Sequence, residues 1–147
     1  IKNFTANDFA KFHPGGALGK KLLLKVTDLL DNKNKPSVAS TANIKEVIVE
    51  ISSKRLGVTA VIENNEVIGI ITDGDIRRML EKTEQFSNLC AKDIMSKNPK
   101  TVDINEMVSA ALEILESYAI TQLIVTENKE YAGVIHLHDI LKEGIIS

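Results

Sequence analysis

Thr72 and Asp75 stand three residues apart where a β-rich run gives way to a helical one, and this hydroxyl–carboxylate pair is the most chemically suggestive feature of the chain. If the strand ends at Thr72 and the helix begins at Asp75, both side chains meet the unpaired amides of a first helical turn. A helix N-terminus attracts phosphate, and a carboxylate suits the two hydroxyls of a ribose. The same residues equally suit a plain helix cap that needs no ligand. Asp139 holds the matching place later in the chain, but His136 stands where the threonine would be. Two such corners should therefore be unequal. His136 and His138, two apart, would share one face if the strand continued through them. Zinc needs further ligands, and none is in evidence, so no metal is expected; hydrogen bonding to a ligand or neighbouring domain, or a surface histidine pair, fits better. Arg77 and Arg78 could reach a phosphate, and a solvated helix face explains them as well.

Other reactive side chains offer less. Cys90 is the single cysteine, so no internal disulfide can form, and a structural thiol in a reducing cytoplasmic setting is expected. Pro14-Gly-Gly-Ala-Leu-Gly19 has the glycines of a phosphate loop but lacks its Lys-Ser/Thr ending and follows no strand. Glycines that turn the chain between domains explain it better.

The elements that must carry these groups occur twice. Gly69-Ile-Ile-Thr-Asp-Gly-Asp-Ile76 matches Gly133-Val-Ile-His-Leu-His-Asp-Ile140 at an offset of 64 residues. Val58-Thr-Ala-Val-Ile62 matches Ile120-Thr-Gln-Leu-Ile124 at 62, and Asn43-Ile-Lys-Glu-Val47 matches Asp103-Ile-Asn-Glu-Met107 at 60. Small steps in offset are what short loop insertions leave behind, so one unit of about sixty residues is repeated. In each copy apolar residues recur at helical spacing, through Ile44, Val47, Ile48 and Ile51 and through Ile104, Met107, Val108, Ala111, Leu112 and Leu115. These stripes read as core. Asn43 with Glu46, and Asp103 with Glu106, have the spacing of a capping box. Two β-rich runs follow in each copy, Val58 to Ile62 with Val67 to Thr72, and Ile120 to Val125 with Tyr131 to His136. Asn-containing breaks between them predict tight hairpins. Second helices should start at Asp75 and Asp139. The stretch from Glu81 to Lys92 is a polar connector. A lone unit of this size buries too little apolar surface, so the two should pack together.

Bulk properties exclude several functions. With a formal net charge of −2 and 44% hydrophobic residues, the chain reads as globular, with no field to draw in nucleic acid or anionic lipid. No apolar run approaches the ~20 residues of a membrane-spanning helix, and no signal-peptide pattern opens the chain. Beginning at Ile1, it is expected to be part of a longer protein.

A doubled order of helix, strand, strand, helix with Gly-h-h-Thr-x-x-Asp-Ile at the second strand end resembles the CBS domain family and its paired form, the Bateman module, over about Val26 to Gly144. The resemblance implies an α+β fold of two CBS domains related by a pseudo-two-fold axis, residues 26–84 and 91–147. The two glycine-led runs, with the lead-in His13-Pro-Gly-Gly-Ala-Leu-Gly-Lys-Lys-Leu-Leu-Leu24, are most similar to the C-terminal part of arabinose-5-phosphate isomerases. There a comparable segment joins a sugar isomerase (SIS) domain to its CBS pair, so residues 1–25 are expected to be the linker and tail of such a domain.

By that resemblance the parent interconverts ribulose 5-phosphate and arabinose 5-phosphate on the way to the Kdo sugar of lipopolysaccharide. His13 matches a histidine implicated in catalysis, meaningful only beside the absent SIS domain, so these residues alone should not isomerise sugars. Thr72, Asp75, His136, Asp139, Val58 and Ile120 are the ligand-binding candidates. The ligand would be AMP or ATP, the family default, or CMP-Kdo as an end product. No cofactor is required. The expected partners are the SIS domain, that ligand and further copies of the chain, with no nucleic acid and no membrane. The competing expectation is an oligomerisation module that binds no small molecule, which exposed apolar surface on the second helices would favour.

Overall fold

The computed structural model describes residues 23–31 and 33–144. His13 and the glycine-rich lead-in fall outside them. In the first half, helix α1 (Val26–Leu29) is followed by strand β1 (Ser37–Ala39), helix α2 (Ile44–Lys54), strands β2 (Val58–Glu63) and β3 (Glu66–Thr72), and helix α3 (Asp73–Lys82). The second half runs α4 (Ala91–Ile94), β4 (Ser96–Lys97), β5 (Thr101–Asp103), α5 (Val108–Ser117), β6 (Gln122–Glu127), β7 (Glu130–His136) and α6 (Leu137–Leu141). The result is the expected α+β pair of like units.

Helix α2 forms for reasons visible in its residues. Asn43 Oδ1 accepts from the Glu46 amide at 2.8 Å while Glu46 Oε1 accepts from the Asn43 amide at 3.1 Å. Ile44, Val47 and Ile51 form its buried face, and Arg55, at φ 63°, ends it in the left-handed region. The hairpins form as anticipated: Asn64 and Asn65 have φ of 52° and 66°, Asn128 and Lys129 of 53° and 70°. β2 and β3 are antiparallel, as are β6 and β7.

Three expectations need correction. Three strands were not anticipated: β1 lies parallel to β2, β5 parallel to β6, and the two-residue β4 antiparallel to β3. Two or three residues are too few for alternation to register. Helix α5 begins at Val108, and Asp103 with Glu106 makes no capping box. Asp103 instead accepts from the Asn105 amide at 2.8 Å, and the carbonyls of Ile104 and Glu106 accept from the amides of Thr27 and Val26. Carbonyls spent on another segment cannot start a helix. Helices α3 and α6 begin two residues earlier than anticipated, which moves Asp75 and Asp139 to the third helical position and leaves capping to Thr72 and His136.

The halves interleave. α1 opens the first unit but seats Val26 in the second unit's core, among Val108, Leu115, Leu123, Ile135 and Ile140. α4 opens the second unit but seats Ala91 in the first unit's core, among Val47, Ile51, Val61 and Ile71. The repeated glycines accommodate this exchange. A Cβ on Gly69 would fall 2.8 Å from the Ser96 carbonyl and 2.5 Å from Met95 Sδ; one on Gly133 would fall 3.0 Å from Leu30. A third cluster, Val58, Ala60, Ile124, Tyr131 and Val134, joins the two sheets face to face.

Candidate functional site

The first corner is built by backbone and side chain together. Thr72 ends β3 in extended conformation, and its Oγ1 accepts from the Asp75 amide at 3.2 Å. Asp75 Oδ2 accepts from the Thr72 amide at 2.9 Å and the Thr72 hydroxyl at 3.1 Å. Asp75 Oδ1 takes Arg78 Nη2 at 2.6 Å, with the aspartate side chain 9% exposed and the arginine side chain 61%. Every oxygen of the carboxylate thus has an internal partner, and cap geometry by itself accounts for the pair.

The second corner is looser. The His136 amide donates to Asp139 Oδ2 at 3.0 Å, and His136 Nδ1 accepts from the His138 amide at 2.9 Å. Lys142 lies 3.9 Å from Asp139 Oδ1, and the aspartate side chain is 29% exposed. His138 belongs to α6 and not to the strand, so the two imidazoles do not share a strand face. Among the described residues no group of three His, Cys, Asp or Glu side chains is placed to hold a metal ion.

Between the halves lies a narrow crevice of about 70 Å³, lined from the first unit by Val58, Ile70 and Thr72 and from the second by Lys100, Ile120, Gln122, Leu123 and Ile124. Three of the six sequence candidates, Val58, Thr72 and Ile120, come together here. Asp75, His136 and Asp139 do not line it. Asp75 faces an outer groove of about 310 Å³ shared with Arg78, Met79, Lys82, Leu89 and Ile94. The crevice walls are mostly apolar, with one hydroxyl, one amide and one ammonium at the rim. That chemistry suits a flat apolar group carrying an anion. Sites for drug-sized ligands run to about 300 Å³ or more, so such a guest requires the walls to part.

Three residues near the crevice were not foreseen. Lys100 Nζ sits 4.2 Å over the ring centre of the exposed Tyr118. Gln122 Nε2 donates to the Leu56 carbonyl at 3.1 Å, linking the halves. The buried Tyr131 donates its hydroxyl to the Pro36 carbonyl, again from second half to first. Burial first, and then the Glu50 charge, push the Tyr131 phenol well above its ordinary value. Residue type and spacing carried no signal for any of the three, since the short strands that place Lys100 do not register in the sequence. Elsewhere, the Cys90 amide at 2.9 Å and then its thiol at 3.3 Å hold the Asp93 carboxyl below its usual range.

A family model described as CBS domain matches the chain twice, over residues 26–82 and 91–145. The arabinose 5-phosphate isomerase KdsD of Francisella tularensis is 46% identical over 143 residues, covering 96% of this chain and 44% of that protein. The protein of the same name from Escherichia coli K12 is 37% identical over 147 residues, covering 99% and 45%. The chain therefore spans less than half the length of these relatives. Among solved structures, a CBS domain protein from Pyrobaculum aerophilum complexed with AMP superposes with a TM-score of 0.73 at 25% identity, covering 82% of this chain and 97% of that one. An uncharacterized conserved protein from Pyrococcus horikoshii superposes with a TM-score of 0.73 at 19% identity, covering 86% and 96%.

Proposed function

The chain belongs to the CBS domain family as a tandem pair, and from that premise we propose that it is the regulatory part of an arabinose-5-phosphate isomerase, sensing a nucleotide or nucleotide-sugar in the crevice between its halves. The observation that carries the reading is the meeting of Thr72, at the head of α3, with Val58, Ile120 and Lys100 from both halves. Thr72, the first amides of α3 and Lys100 receive the phosphate. Val58 and Ile120 flank the base. Asp75, which faces the outer groove, reaches the ribose hydroxyls once the walls part and it gives up the solvent-facing Arg78. His136 and Asp139 form the unequal counterpart. The AMP complex of a similar CBS protein supports the ligand class; CMP-Kdo is the alternative, as feedback from the Kdo pathway.

In this reading residues 26–84 and 91–147 are the two CBS domains. Residues 1–25 lead in from an SIS domain in which His13 serves ribulose 5-phosphate isomerisation, in the cytoplasm. The ligand acts by its difference in affinity between two packings of that domain.

A thermal-shift panel of AMP, ATP, CMP and CMP-Kdo tests this. A ligand at 100 times its dissociation constant adds about 2.7 kcal/mol of stability, and Asp75→Ala weakens the response. Silence from all four at millimolar concentration favours a second reading, an oligomerisation module without a small ligand. Leu80 on α3 and Leu141 on α6, 48% and 43% exposed, give that reading its support.

A further inference from the structure

The strand registers define a second crevice as the counterpart of the first. Val58 pairs with Thr72 and Ala60 with Ile70, as Gln122 pairs with His136 and Ile124 with Val134. Exchanging equivalents places Gln122, Val134 and His136 opposite Leu56 and Pro36. Two hydrogen bonds cross this second crevice, from Gln122 Nε2 to the Leu56 carbonyl at 3.1 Å and from the Tyr131 hydroxyl to the Pro36 carbonyl. The first crevice has Val58 where the second has Gln122, and Val67 where the second has Tyr131. Neither valine can make such a bond. The charges differ as well. Lys100 lines the first crevice, and the residue in its place in the second is Pro36.

We propose that the two crevices have divided labour: a phosphate-bearing ligand enters the first alone, one per chain, while the Gln122–Leu56 and Tyr131–Pro36 bonds hold the second shut as the fixed side about which the first opens. Opening the first crevice separates mostly apolar walls, with Gln122, which lines it from the second half, keeping its bond to the Leu56 carbonyl as the pivot between the two crevices. Opening the second breaks both bonds: the part-buried Leu56 carbonyl loses its side-chain donor, and the Pro36 carbonyl keeps only the longer bond from the Ala60 amide at 3.3 Å. The Lys100 ammonium on the wall of the first crevice points to an anionic group on the guest.

This inference rests on the nucleotide-sensing reading, and equilibrium dialysis with AMP as the probe separates the two. One AMP bound per chain is expected, with Lys100→Glu weakening binding at least tenfold. Lys35→Glu, which reverses the exposed lysine 5.3 Å from the Tyr131 ring centre, should change it less than twofold. Two AMP per chain, or greater damage from Lys35→Glu than from Lys100→Glu, overturns the division of labour and leaves nucleotide sensing standing. No binding of AMP, ATP, CMP or CMP-Kdo sinks both.

Discussion

The two strand-to-helix corners share a backbone and differ in one side chain, threonine at 72 against histidine at 136. The threonine hydroxyl is short, and it accepts from the Asp75 amide while donating to the carboxylate, so the two residues lock together. The imidazole is longer and satisfies the His138 amide, one position short of the aspartate. Both corners are capped, but the substitution shifts the side-chain bond from the Asp75 amide at the first corner to the His138 amide at the second, and the neighbouring cation stands at 2.6 Å for Arg78 and 3.9 Å for Lys142. Duplication copies a scaffold, and chemistry then diverges at the residue facing the ligand space.

The largest effects should come where the halves do not differ. Ile71→Ala and Ile135→Ala each remove a fully buried side chain and should cost about 2–5 kcal/mol. Because α1 and α4 seat in each other's units, urea unfolding of either variant should remain one transition seen by all probes. Two separated transitions would show independent halves. Gly69→Ala and Gly133→Ala come next, each about 1–3 kcal/mol from crowding against the exchanged segment. Gly133 carries the added strain of φ 148°, so the second variant should melt lower.

Those glycines show how much was legible beforehand. The doubling, both hairpins, the cap of α2 and the corner residues were written in spacing and residue type, but the copies were aligned correctly only at the corners. Strand register and helix caps make Gln122, not Ile120, the equivalent of Val58 and Met107, not Asp103, the equivalent of Asn43, both at the corner offset of 64. The exchange of α1 and α4 was not, because four-residue helices carry no periodicity and their partners lie far along the chain. It also displaced the start of α5, whose carbonyls serve α1. Lys100, Gln122 and Tyr131 read in sequence as ordinary surface or core residues, and only the pairing of halves brings them to the crevices. The resemblance pointed to both corners, while the coordinates bring only Thr72 to the open crevice.

Smaller effects sharpen the contrast between corners. Thr72→Ala should lose about 1 kcal/mol as a cap, and His136→Ala, which breaks only the bond to the His138 amide, should lose less; denaturant midpoints measure both. Equal losses would mean that the corners are equivalent. The tie across the second crevice has a pH signature. The Tyr131 phenol is raised above its unfolded value of about 10, so its contribution is complete below that pH and is lost as pH rises through the higher folded value. Melting temperature should therefore fall more steeply above about pH 10 in the natural chain than in Tyr131→Phe. Asp93 works in the opposite direction: its lowered carboxyl favours the fold above the ordinary carboxylate range, and that gain fades as pH falls through the folded value. Asp93→Asn should flatten the acid limb slightly.

Methyl-resolved NMR during an AMP titration puts the central claim to its most direct test. The account predicts that the methyls of Ile70 and Ile120, in the first crevice, move together and saturate while those of Leu56 and Val134 stay nearly still. Larger movement at Leu56 and Val134, or equal movement at both crevices, would contradict it.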